Sequence, residues 1–173
     1  MEEFNVFFKN LMNEFRIENR LNEIRSPTGK IEWGPGFGVY TVFKQTIDYR
    51  NLLYVGLTGK YKRTEDGLLR PVGGSFNKRN YRWTPYRFSE SSKDTEDYRF
   101  SFRFGPKSNK NSDQAKIKYQ PDAYKYSVPY QELIIYSFDL SNSQIYSPSF
   151  LEALILNKYW TVDGRLPQAN NQI

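Results

Sequence analysis

The chain contains fourteen tyrosines, no histidine and no cysteine, and these counts decide what chemistry it can do. Without cysteine there is no thiol nucleophile, disulfide framework or zinc finger. Without histidine there is no Ser-His-Asp triad, no HExxH metal site and no His-based nuclease centre. Catalysis therefore falls to Tyr, Lys, Arg, Asp, Glu or a bound metal. Tyr40 and Tyr54 are the first candidates. They lie in two strand-like runs, residues 37–43 and 51–57, joined by the polar connector 44–50, and a hairpin is the economical pairing. With the turn centred on Ile47, each tyrosine is seven residues from the centre. The two then stand directly opposite and share one face. The plain alternative is a pair of core tyrosines.

A second group of candidates is cationic. Lys60, Lys62, Arg63, Arg70, Lys78, Arg79, Arg82 and Arg87 face only Glu65 and Asp66, so residues 60–88 hold a balance of +6, equal to that of the whole chain. Tyr61, Phe76, Tyr81, Trp83, Tyr86 and Phe88 are interleaved with them. Cations of this kind hold phosphates while aromatics pack or stack on bases. Lys60, Lys62, Arg63, Lys78, Arg79 and Arg87 are accordingly read as DNA contacts; the alternative is a solvated face whose aromatics belong to the core. If 75–88 is helical, Arg82 and Tyr86 are one turn apart and face one site. Pro85 between them counts against that helix. Arg79, with Trp83 four residues on, is the alternative, and Arg63 a third. The last candidate is Glu152. Ser147 can cap a helix with Pro148 at its first position, running to residue 158. Leu151, Leu154 and Ile155 anchor that helix while Glu152 projects from a neighbouring side. The first-turn dipole keeps its carboxylate ionised.

The elements that must position these residues fit one domain. A length of 173 residues, 38% hydrophobic and 25% charged, can bury a core without staples. An aromatic content of 17% favours strands, and the class expected is α+β. Residues 2–24 read as a helix on Phe4, Phe7, Phe8, Leu11 and Phe15, closed at 26–29. Residues 58–74 are turn-rich, 98–104 alternate as an added strand, 105–120 form a polar loop, and 132–140 form a strand. The tail ends in Asn170 and Asn171. The expected organisation is a single domain over 1–173. It has an N-terminal helical extension (1–36), a core (37–88 and 128–173) and an insertion (89–127). No run reaches the apolar length of a membrane span, and the acidic start is not a signal peptide, so a cytoplasmic protein is expected. A PD-(D/E)xK site starting at Asp122 fails, because Lys125 and Lys158 have Ala123 and Leu156 two residues before them. The glycines of 34–38 lack the GK[ST] of a nucleotide loop.

Gly38-Val39-Tyr40 and Tyr54-Val55-Gly56 together resemble the signature of the GIY-YIG nucleases, with Val for Ile in both places. The order downstream is similar to that family too: a basic segment with Arg79 or Arg82, the strand 132–140, Glu152 on a helix, then Asn170 or Asn171. The resemblance spans roughly residues 37–171 around the insertion. It implies a small three-stranded antiparallel sheet flanked by helices. It implies hydrolysis of DNA phosphodiesters with one divalent metal, Mg2+ or Mn2+, held by Glu152. A hairpin Tyr would sit near the attacking water and the Arg on the scissile phosphate. Tyr86 would stand where many members pair that Arg with a His or Tyr, and Asn170 would support the site. The chemistry is coherent. Attack on an anionic diester adds charge that Arg and a metal neutralise, and magnesium keeps several waters beside few carboxylates. The single decorated core resembles stand-alone type II restriction endonucleases, which generally act as dimers on short double-stranded DNA sites. A non-catalytic nucleic-acid-binding module and a homing or repair nuclease are the alternatives.

Overall fold

A computed structural model describes residues 2–25, 32–34, 36–67, 69–72, 74–76, 86–87, 98–101 and 127–170, with backbone alone at 60, 69–72, 86–87, 98–101 and 127. Helix α1 (Glu2–Ile17) buries Phe4, Phe8, Leu11, Met12 and Phe15 on one stripe, with Glu2 and Glu3 at its positive end and Arg16 in its last turn. It does not run to residue 24 as its apolar spacing suggests. Asn19 takes a left-handed backbone, φ 54°, which few side chains other than Asn tolerate. The amides of Asn19 and Arg20 then close onto the carbonyls of Arg16 and Phe15, at 3.1 and 2.9 Å.

The chain leaves this turn as strand β1 (Leu21–Ile24). Three longer strands follow: β2 (Gly38–Lys44), β3 (Leu52–Thr58) and, much later, β9 (Leu133–Asp139). All pair antiparallel in the order β1-β9-β2-β3. The expected three-stranded sheet is thus four-stranded, because the segment after Asn19 pairs with β9. A hairpin of β4 (Lys60–Arg63) and β5 (Leu69–Val72) continues from β3, within the stretch read as turn-rich. A second small sheet joins β6 (Tyr86–Arg87), β7 (Tyr98–Ser101) and β8 (Ser127–Pro129). Strand β7 realises the added strand. Strand β6 overturns the helical step from Arg82 to Tyr86: Tyr86 is extended and paired with Arg99, immediately after the helix-breaking Pro85.

Helix α2 (Pro148–Asp163) begins as its sequence dictates, with the Ser147 hydroxyl accepting from the Phe150 amide at 3.2 Å. Helices α1 and α2 pack together and cover one face of the main sheet. There Phe8 meets Phe43 and Phe138 edge-on, and Phe4 meets Tyr159 at 5.6 Å. The opposite face carries Tyr40, Val42, Leu53, Leu133 and Ile135. It is covered by Trp33, Phe76, Val128, Tyr130 and Ala169. Strands β2 and β9 are therefore buried on both sides, and the fold is α+β. Among the described residues no helix is long and apolar enough to cross a membrane.

Candidate active site

The two tripeptides stand side by side in the β2–β3 hairpin, but not in the register expected. Tyr40 pairs with Gly56, and Tyr54 with Val42. The hairpin is centred on Asp48 rather than Ile47, with a bulge between Val42 and Phe43. A shift of two residues preserves the face. Tyr40 and Tyr54 are therefore diagonal neighbours on one surface, their ring centroids 5.9 Å apart and tilted by 41°.

Both glycines of the pair have a steric reason. At Gly56 a Cβ would lie 2.5 Å from Tyr54 Cε1 and 2.8 Å from Tyr40 Cζ and the Tyr40 hydroxyl. The two rings occupy the space that a side chain at Gly56 would need. At Gly38 a Cβ would collide with the Phe138 carbonyl oxygen of β9.

The tyrosines are not equivalent. Tyr40 is only 2% exposed, with Trp33 edge-on at 5.1 Å and Phe76 stacked on that indole at 5.9 Å. Tyr54 is half-buried. Tyr40 is therefore closed within the core, and Tyr54 is the one nearer the surface. Phe76, expected among the aromatics available to bases, is fully buried in this core instead. Ser137 is the β9 partner of Tyr40, and its buried hydroxyl has no hydrogen-bond partner among the described residues.

Asn170 completes this strand pair. Strand β3 ends the sheet, so alternate backbone groups point away from β2. The Asn170 carboxamide meets one such pair. Its Oδ1 accepts from the Val55 amide at 2.8 Å, and its Nδ2 donates to the Val55 carbonyl at 2.7 Å. The Ala169 amide adds a bond to the Leu53 carbonyl at 2.9 Å. The tail thus brackets the edge through one backbone bond and the Asn170 side chain, directly beside Tyr54. Asn171 lies outside the described residues.

Glu152 is half-buried on α2, between the buried Leu151 and Ile155 on one side and Leu156 on the other. At about 100° per residue it lies on the opposite flank from Lys158. Lys158 bonds Glu3 of α1 at 3.1 Å, so Glu152 is on the flank turned away from α1. Helix α2 packs on β3 and β2 from the face opposite the tyrosines. The strand that carries Tyr54 therefore separates the tyrosine face from the helix that carries Glu152.

Lys62 and Arg63 are exposed on β4, and Lys62 stands in register with Arg70 of β5. Lys60 and Arg87 are placed as backbone in β4 and β6. Lys78, Arg79 and Arg82 lie outside the described residues. Among the described residues no three His, Cys, Asp or Glu side chains group to hold a metal. The class of ion that a single carboxylate ligand suits is a hard divalent cation that keeps most of its waters.

The parts missed at the level of sequence are the lid of Trp33 and Phe76 over Tyr40 and the packing role of Gly56. Only the glycine in Tyr54-Val55-Gly56 left a local signal. No protein-family model, no curated protein and no solved structure matches the chain.

Proposed function

We propose that this protein is a divalent-metal-dependent endonuclease of the GIY-YIG kind. It hydrolyses phosphodiester bonds in double-stranded DNA, as a site-specific restriction endonuclease of the cytosol. The observation that carries the reading is the convergence at one strand pair of Gly38, Tyr40, Tyr54, Gly56 and Asn170. Tyr40 and Tyr54 are neighbours over Gly56, and the edge beside them is locked by Asn170. These residues come from three separate parts of the chain, and the core could be filled without matching a signature at each.

In this reading Tyr54, the more exposed of the pair, orients the attacking water. Tyr40, fixed under Trp33, holds the Tyr54 ring in place. Asn170 keeps the Val55 backbone flat beneath them, so the phenol is positioned before substrate arrives. Glu152 would hold a magnesium or manganese ion, which when bound would neutralise charge at the phosphate and make a coordinated water easier to deprotonate than bulk water. In this reading one phosphate reaches both the tyrosine face and the Glu152 flank around the β3 edge that Asn170 braces. Arg79 or Arg82 meets the charge that develops on the phosphate. The β4–β5 hairpin supports DNA contact independently. Lys62 is exposed on β4, and the register places position 70, an Arg, across from it on β5.

The test is incubation of supercoiled plasmid with the pure protein, with and without magnesium. Discrete products that need the metal support the reading. Binding without cleavage would replace it with the non-catalytic module, and a smear would replace site-specific with non-specific cutting.

A further inference from the structure

The last turn of α1, the residues just after it and the loop that leads into α2 border a cavity of about 270 Å³. The residues that line it are all among those described. It lies on the helix side of the sheet, away from Tyr40 and Tyr54. Pockets for drug-sized ligands begin at about 300 Å³, so this one suits a smaller group. Its aromatic wall is fixed. The Tyr146 ring is stacked on Phe150 at 6.2 Å and lies 5.9 Å from Phe15. The loop is fixed too. The Ser143 amide donates to the Leu140 carbonyl at 3.0 Å, and the Tyr146 amide donates to the Ser143 hydroxyl oxygen at 3.0 Å. A site ordered before binding loses little freedom when a ligand arrives.

The charges of the lining name the ligand. Arg20 is answered by Glu18 in an ion pair of 3.0 Å. Glu14 has no cation beside it among the described residues. Its partner is the neutral Tyr146 phenol, which donates to it at 3.3 Å. Two carboxylates against one guanidinium leave the lining one unit negative, in a chain whose formal charge is +6. The C-terminal end of α1 adds the negative end of a helix dipole. Both select a cation. The carboxylate of Glu14 and the carboxamides of Asn142 and Gln144 bring four acceptor oxygens to the cavity. That number exceeds the three donors of an ammonium and falls within the five of a guanidinium. Ile145, 74% exposed at the rim, supplies apolar surface for an alkyl stem.

We propose that this cavity binds an alkylguanidinium, with Glu14, Asn142 and Gln144 on the planar head and Ile145 along the stem. The head is the same whether it belongs to a free alkylguanidine or to an arginine side chain of another polypeptide. The proposal stands on the cavity alone and does not depend on the nuclease reading.

Amide NMR of the isotope-labelled protein, titrated with n-butylguanidinium chloride against sodium chloride at matched concentration, tests it. Saturable shifts confined to residues 14–20 and 141–146 are expected. Glu14→Gln weakens binding about five-fold, the upper range for an ion pair open to solvent. Glu65→Gln, which removes an exposed carboxylate elsewhere, leaves it unchanged. n-Butylammonium binds more weakly than n-butylguanidinium. N-Acetylarginine methylamide separates the two sources: binding as tight as that of n-butylguanidinium supports a polypeptide arginine, and its exclusion supports a free alkylguanidine. Shifts that do not saturate, or that spread to other carboxylates, overturn the site, as does a folded Glu14→Gln chain of wild-type affinity. Equal affinity for n-butylammonium overturns the choice of guanidinium.

Discussion

Gly56→Ala tests whether the two tyrosines are packed as described, and the sign of its effect decides the matter. Gly56 has no left-handed backbone to protect. If its face were open, alanine would stabilise the protein by about 0.4–1 kcal/mol, by restricting the unfolded chain. Here the added methyl lies 2.5 Å from Tyr54 Cε1 and 2.8 Å from two atoms of Tyr40. Tyr40 cannot swing away, because it is 2% exposed under Trp33, with Phe76 behind the indole. Overpacking of this kind costs about 1–3 kcal/mol. The net expectation is a loss of roughly 0.5–2 kcal/mol, or a fall in Tm of about 2–4 °C per kcal/mol at this chain length. Urea and thermal unfolding measure it directly. Tyr40→Leu should relieve part of the penalty, giving a favourable coupling between the two substitutions. A Gly56→Ala chain that is more stable than the wild type would refute the packing argument, and with it the account of why this strand carries glycine at 56.

Other consequences are open to measurement. Glu152→Gln should leave folding and DNA affinity near wild type and reduce cleavage by at least about 100-fold, the scale on which general acid–base and metal-site groups act; an active variant removes Glu152 from the site. DNA affinity should fall steeply with salt, with a log–log slope of about −0.9 for each phosphate contacted by the cations of 60–88. Neutralising Lys62 should flatten that slope by about one contact, and an unchanged slope shows that β4 does not touch the backbone. Burial, and then the Glu23 carboxylate, push the Tyr136 phenol up to about 12. The folded state thus keeps a proton that the unfolded chain releases near pH 10. That contribution to stability is complete below pH 10 and is lost as the pH climbs toward 12. Tyr136→Phe should make the fall in the urea midpoint over this range shallower; an identical fall contradicts the assignment.

Local pattern carried the cap at Ser147, the helix after it, the 132–140 strand and the β2–β3 hairpin. Each depends on residues close in sequence. The misread features depend on contacts made far away. Leu21 and Ile24 fit a continued helix as well as a strand, and the choice is made by pairing with Ile135 to Phe138. The hairpin centre moves from Ile47 to Asp48 in a turn gripped from α1. Asn5 accepts from the Tyr49 amide at 2.8 Å and donates to Asp48 at 3.1 Å. Nothing near 47 announces that grip. Asn170 and Asn171 are chemically identical, and only the edge of β3, more than a hundred residues earlier, distinguishes Asn170. Phe76 could be read as a base-stacking aromatic because its neighbours are cationic, yet it fills the second face of the sheet. Candidate residues were legible by type and spacing. Their exposure was not, because exposure is set by segments such as Trp33 that pack from elsewhere.

The most direct test of the central claim is the single-turnover rate of plasmid cleavage by Tyr54→Phe beside the wild type, in magnesium. The substitution keeps the ring against Tyr40 and removes only the hydroxyl. The account predicts magnesium-dependent cutting by the wild type, and a loss of about 10²–10⁴-fold in the variant with its stability little changed. Cleavage by the variant at the wild-type rate would contradict the account and leave Tyr40 and Tyr54 as packing residues of the sheet.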